Sequence, residues 1–246
     1  MYKVPLLLSF LLFTGMIGFA QTPTTSHINS FVDLTGTVGE SQGAAAASYV
    51  HNRQLGKKKK WEIGYGVRLT SYFGVKNEFT TAPARLSRST TFPFLIIFAD
   101  QLTQNWDTLN VQRPFTNSLN LSANFGYHFS KRWSAGFNID LIGFTFGRTT
   151  SAILTSNGVT KTESAAKPTP FNVLLTGDND IGSLNSEFFL KYKLNERWGV
   201  KAVYQFLFAE YKTTTIKQTA PDGTQVDRFR NKVNAFGLGI AYHFNK

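Results

Sequence analysis

His128 and Ser130 stand two residues apart in "YHFS", a spacing that puts a base and a nucleophile on one side of an extended segment, and the chemistry they would offer is acyl transfer. His51, His128 and His243 end three segments that run the same way, which raises the question of a metal ion. "GDNDIG" from Gly177 supplies Asp178, Asn179 and Asp180 as oxygen donors of the kind calcium takes, but no carboxylate follows at ligand spacing. Glu62, Asp140 and Glu187 fall on the same side of their segments as Arg68, Lys191, Lys193 and Lys201, the material for an internal charge network. Which of these chemistries is available depends on the elements that hold the residues.

Those elements are strands. Alternation is clearest in four runs: Trp61 to Leu69, Leu119 to Phe129, Trp198 to Phe208 and Phe236 to Phe244 each place an apolar, mostly large residue at every second position, with mostly small or polar residues between. Segments 133–146, 183–194, the Ala-rich 43–53 and a weaker 30–38 bring the expected number to eight. A hairpin unit recurs in "YHFSKRWSAGFNIDL", "YKLNERWGVKAVYQF" and, more loosely, "YVHNRQLGKKKKWEIGYGVRL". Each has a Tyr ending one run, a basic turn, and a Trp opening the next, and "YHFNK" closes the chain as a half-copy. Short turns after 53, 130 and 195 alternate with long connections at 75–117, 148–182 and 212–231, so the three long loops leave one end. Within them Asn157-Gly158 and Asp222-Gly223 read as hairpin tips. The apolar stretch "FPFLIIFADQL", 92–102, is open to three readings: a loop helix, a fold-in against the sheet, or a further strand that would raise the count to ten.

The apolar face carries about five large side chains per clear run, more than the narrow interior of an eight-stranded cylinder holds. The opposite face is small or polar and suits that interior. The apolar face therefore points outward, where only hydrocarbon solvates it and a closed ring satisfies the backbone. Trp61, Trp133, Trp198, Tyr127, Tyr192 and Tyr242 then share one rim, as an interfacial aromatic girdle does. Residues 1–20, with Lys3, an apolar core and Gly18/Ala20, read as a secretory signal, followed by a short segment 21–29 and a barrel over 30–246. The remaining 25 basic and 15 acidic residues give a basic exported protein suited to anionic lipid head groups; nucleic acid is not an expected partner. With no cysteine there is neither a lipoprotein anchor nor a disulfide.

On these features the sequence resembles the small porin-like outer-membrane β-barrel proteins of Gram-negative bacteria. "GLGIAYHF" is similar to the terminal strand read by the barrel assembly machinery, with Gly239, Tyr242 and Phe244 at the matching positions. It departs from that signal at Gly237, where a polar residue is usual, and in Asn245 and Lys246 after the last Phe. "GFNIDLIGFTFG" and "NVLLTGDNDIGSLNSEFF" resemble an uncharacterised subgroup of these barrels. The resemblance implies an all-β, eight-stranded antiparallel transmembrane barrel in the outer membrane, with the short turns periplasmic and the long loops at the cell surface.

In that frame His128 and Ser130 lie at the periplasmic end without an acidic partner, away from any outer-leaflet lipid, so no catalytic residue is assigned. No metal or cofactor is expected, since His51, His128 and His243 belong to strands far apart in order. The inward charges Glu62, Asp140, Glu187, Arg68, Lys191, Lys193 and Lys201 should pair and plug the bore. Phe144 and Phe146 break the alternation, and a bulge near Gly143 would return them to the outside. Loop bases Arg85, Arg88, Arg113, Arg148, Lys161, Lys167, Lys212, Lys217, Arg228 and Arg230 are candidates for lipopolysaccharide phosphates. The expected protein is a monomeric, non-enzymatic membrane barrel acting through its surface loops. A narrow passive channel and a lipid-modifying enzyme are the alternatives.

Overall fold

The computed structural model describes residues 28–244. The signal assigned to 1–20, the stretch 21–27, and Asn245 and Lys246 lie outside it. Fifteen strands follow in chain order: β1 (Ile28–Val38), β2 (Gln42–Leu55), β3 (Trp61–Gly74), β4 (Lys76–Thr81), β5 (Thr108–Gln112), β6 (Phe115–His128), β7 (Trp133–Gly147) and β8 (Thr150–Ser156). After these come β9 (Val159–Pro168), β10 (Phe171–Val173), β11 (Asn185–Lys193), β12 (Trp198–Lys212), β13 (Gln218–Thr219), β14 (Gln225–Val226) and β15 (Arg228–His243). The fold is all-β and every pairing is antiparallel.

Pairing runs in two cycles. In the first, β1, β2, β3, β6, β7, β11, β12 and β15 pair in turn, and β15 returns to β1 through Phe31↔His243 to Val38↔Phe236. In the second, β4, β5, β8 and β9 follow one another and close on the outer ends of β12 and β15, through Tyr211↔Pro168 and Phe229↔Thr81. The eight expected segments are the strands of the first cycle, but the total among the described residues is fifteen, not eight, because each long connection carries pairing of its own. Residues 75–117 contain β4 and β5, 148–182 contain β8, β9 and β10, and 212–231 contain β13, β14 and the start of β15.

The two storeys have opposite interiors. Along β3, β6 and β12 the inward positions of the first cycle are Glu62, Arg68, Thr70, Ser118, Asn120, Ser122, Lys201 and Gln205, all buried. The second cycle instead encloses Phe79, Leu109, Val111, Leu154, Tyr211 and Phe229 in one apolar core. An apolar cap therefore sits on a polar bore. Outside the first cycle the pattern inverts, and Leu34, Ile63, Leu121, Phe188, Val200 and Leu238 are exposed.

The alternation of β7 is reset by a bulge where Leu121↔Ile142 gives way to Ser122↔Asp140, leaving Leu141 as the extra residue. It falls two residues before the expected Gly143 and puts Phe144 and Phe146 on the exposed face while Asp140 and Thr145 stay buried. Asn157 and Gly158 both have positive φ, 48° and 76°, and turn β8 into β9, so the expected tip is a two-residue hairpin loop. Segment 92–102 forms no strand of the cycles. It holds one 3-10 turn, Leu95–Phe98, so it does not supply the strands that would have made ten.

Candidate functional site

The bore is occupied at mid-height by ion pairs drawn from five strands. Arg68 on β3 places Nε 3.5 Å from Asp140 Oδ1 on β7 and Nη1 3.8 Å from Glu187 Oε1 on β11. It also donates to Asn138 Oδ1 and, at 3.3 Å, to the carbonyl of Asn185. Lys201 on β12 bridges Asp33 Oδ2 at 3.0 Å and Glu187 Oε2 at 3.2 Å. Asn120 Nδ2 and the Asn185 N–H complete the Asp140 shell at 2.7 and 3.0 Å. Charges in a low-dielectric interior are tolerable only when paired and hydrogen-bonded in this way.

Asp140, Glu187, Arg68 and Lys201 are brought together here. Lys191 lies below them, its Nζ 3.6 Å from the centre of the inward Phe31 ring, and Lys193 is half-buried nearer the rim. Glu62 is not part of this network. Its carboxylate meets His128 Nε2 at 2.7 Å and accepts from Asn29, Asn52 and Gln54, because position 62 opens β3 at the rim, six residues below Arg68. Asp33 was missed by sequence reasoning. The signal for it, Asp33-x-Thr35-x-Thr37 on one side of the weakest run, was present in the chain.

The chemistry suggested by spacing is not assembled. Ser130 Oγ accepts from the N–H groups of Arg132 and Trp133 at 3.2 and 3.1 Å and so closes the turn, while His128, contrary to expectation, has an acidic partner, turning inward to Glu62. His51 Nδ1 pairs with Ser30 Oγ and His243 Nδ1 with Asn29 Oδ1. Among the described residues no group of three or more His, Asp or Glu is placed to hold a metal. In "GDNDIG", Asp178 is bound by Arg88, by Lys232 at 2.6 Å and by Arg230 at 3.6 Å, and Asp180 Oδ1 accepts from the Leu175 N–H at 2.7 Å.

At the rim each Trp packs against a Tyr of the adjoining hairpin in a tilted or edge-on contact: Trp61 with Tyr127 at 4.5 Å, Trp133 with Tyr192 at 4.8 Å, Trp198 with Tyr242 at 5.0 Å between ring centroids. These are directly opposed residues on neighbouring strands. The recurring Tyr and Trp of the sequence unit therefore fasten one hairpin to the next, and do not meet across their own turn. Gly239 and Tyr242 lie within β15, and Phe244 follows it, 5.7 Å from Tyr242.

Of the loop bases, four are engaged by acids. Arg85 pairs with Asp222, Arg88 with Asp178, and Arg228 and Arg230 with Glu210. Glu163 on β9 pins the 212–217 connection: its carboxylate accepts from the backbone N–H of Ala165, Thr214, Thr215 and Ile216 and from the hydroxyls of Thr214 and Thr215, all at 2.9 to 3.1 Å. Burial by itself would raise this carboxyl, but the Thr215, Ala165 and Ile216 N–H groups outweigh it and hold it at about 2.

No protein-family model matches the chain, and no curated protein matches it in sequence. Among solved structures it is similar to Neisserial surface protein A (NspA), at 8% identity and a TM-score of 0.34, covering 91% of this chain and 100% of that one. It is also similar to Ail, the attachment invasion locus protein of Yersinia pestis, solved with the heparin analogue sucrose octasulfate, at 12% identity and a TM-score of 0.30, covering 88% and 95%. Superpositions this loose carry no weight beside the pairing and burial described above.

Proposed function

We propose that the chain is a monomeric, non-enzymatic protein of the outer membrane, whose first strand cycle spans the bilayer as an eight-stranded barrel and whose second stands at the cell surface. One observation supports this above the others: the outside of the first cycle is apolar and its inside is filled with ion pairs. Along β12 the outward side chains left uncovered run from Trp198 to Tyr204, with Phe206 half-buried and Phe208 covered. At about 3.3 Å per residue and a tilt near 40°, Trp198 to Phe206 covers ~20 Å along the membrane normal, close to the height of an outer-membrane apolar band. Trp61, Trp133 and Trp198 with Tyr127, Tyr192 and Tyr242 form the periplasmic girdle.

The plugged bore favours a role carried by the outer storey, in lipid packing or surface interaction, over solute passage. Arg113, Arg148, Lys161, Lys167, Lys212 and Lys217 are the bases left for lipopolysaccharide phosphates. Gly239, Tyr242 and Phe244 are proposed as contacts for the assembly machinery during insertion. Purified protein in a planar bilayer tests the reading. A silent membrane is expected, and regular conductance steps would replace it with the narrow channel. Altered lipid A or phospholipid acyl patterns in an overproducing strain would replace it with the lipid-acting enzyme.

A further inference from the structure

Between β4 and β5 the chain carries its most exposed apolar cluster, and it is not on the cylinder. Phe92, Phe94, Leu95, Ile97 and Phe98 all point outward, Phe98 85% exposed, while Ile96 between them is 1% exposed. Ile96 is the pin. Its Cγ2 lies against Gly177, where even a Cβ would approach to 3.2 Å, and Asn179 Nδ2 donates to the Thr91 carbonyl at 3.0 Å. Arg88 holds the base of the segment to Asp178 and to the Ala99 carbonyl. Phe94 is kept at φ 66°, in the left-handed region an aromatic residue rarely adopts, so the surrounding contacts must over-determine it.

The height of this segment says what covers it. It rests on the 3-10 turn Gly177–Asn179, and that excursion is tied to the barrel wall where the Leu174 N–H donates to the Leu141 carbonyl at 2.7 Å. Leu141 stands eight residues above the rim residue Trp133 on β7, about 26 Å along the strand and ~20 Å along the normal at a 40° tilt. That level is the outer edge of the apolar band, where Phe144, Phe171 and Leu175 are exposed. The support's other ties, Asp178 to Lys232 and Arg230, stand ten and twelve residues above Tyr242 on β15, ~25 and ~30 Å by the same measure, so the segment lies at and just above that edge. From Ser89 to Ala99 the segment carries no charged residue. On the other side of its support, Arg230 and Lys232 are drawn onto Asp178, so the polar groups are turned away from it.

Resting on the membrane reading above, we infer that residues 92–98 are a lipid anchor: a preformed apolar foot that enters the hydrocarbon of the outer leaflet beside the barrel and fixes the surface storey against the membrane plane. The mechanism is that of interfacial insertion, in which apolar side chains leave water for acyl chains next to a surface already bound. The occupant is lipid, not a protein groove, because the five side chains splay outward on the side of the exposed Phe144, Phe171 and Leu175, from a run, 89–99, that carries no charge of its own.

The chain has no cysteine, so a single spin label reports one place. The variants are Phe98→Cys in the foot, Leu238→Cys on the belt and Lys161→Cys near a hairpin tip, each labelled in refolded full-length protein in phosphatidylethanolamine/phosphatidylglycerol vesicles. The reading is collisional access to oxygen, which concentrates in hydrocarbon, relative to a water-soluble nickel chelate. The expected result is an oxygen-to-nickel ratio at 98 several-fold above that at 161 and close to that at 238. A hydrocarbon-like ratio at 238 with a water-like ratio at 98 overturns the anchor and leaves the membrane barrel standing. Shielding of 98 from both reagents overturns it in favour of a protein partner. A water-like ratio at 238 removes the barrel reading and the anchor together.

Discussion

Replacing Arg68 by Met tests the filled bore. The guanidinium is 1% exposed and faces two carboxylates, Asp140 and Glu187, with Asp33 reached through Lys201. In the wild type these three acids meet two bases at the same level. In Arg68→Met they meet Lys201 alone, and Asp140 loses its cationic partner altogether. Removing one member of a buried pair costs about 3–5 kcal/mol, because the remaining charge stays desolvated. Against a total of roughly 5–15 kcal/mol that is a large fraction. With a urea dependence of about 3 kcal/mol per molar, the unfolding midpoint in detergent micelles should fall by 1 M or more. Intrinsic fluorescence of the rim tryptophans is the readout. The Asp140→Asn change in the Arg68→Met background should recover part of the loss, since it removes the orphaned charge and keeps the Asn120 contact. A midpoint within 0.2 M of wild type for Arg68→Met, or a double variant no better than the single one, would refute the argument that the bore is held by paired charge.

Further outcomes follow from other contacts. Glu163→Ala strands four backbone donors and should free the 212–217 connection, costing about 1–3 kcal/mol and exposing it to limited proteolysis while the first strand cycle stays folded. Because the Glu163 carboxyl is held at about 2, below its unfolded value of 4.5, its contribution is complete above pH 4.5 and is lost as pH falls toward 2. Protease cleavage of that connection should rise over the same interval. Trp61→Ala and Tyr127→Ala should show a coupling of about 0.5–1.5 kcal/mol in a double-mutant cycle of thermal unfolding, and zero coupling would count against the aromatic clasp. Gly237→Ser restores the polar residue usual in the terminal strand, yet its Cβ would fall 2.0 Å from the Gly36 carbonyl. A loss of about 1–3 kcal/mol is expected, read as a lower temperature for the heat-induced gel shift.

The strands of the first cycle were legible because each buries one face and exposes the other over nine or more residues, and a period of two survives that length. Asp140, Glu187, Arg68 and Lys201 could be placed together for the same reason. Glu62 could not be separated from them, because alternation reports the side of the sheet and not the height along the bore. The position of the β7 bulge was uncertain by two residues, since Leu141, Ile142 and Phe144 are all apolar and only the pairing with β6 selects Leu141. The second cycle was invisible as such. β4 and β5 are six and five residues long, and β4 pairs with a strand some 150 positions away. Nothing local announces such a partner. The stretch 92–98 was legible as apolar but not as a foot, because its meaning lies in Gly177 and Asn179, far off in the chain.

β12 and β15 belong to both cycles without a break, so no hinge separates the two storeys. A torque applied to the tip of either strand is carried along a continuous ladder from Lys212↔Arg228 down to Trp198↔Tyr242. Whatever grips the second storey therefore pulls directly on the Trp198/Tyr242 rim at the far end of the ladder.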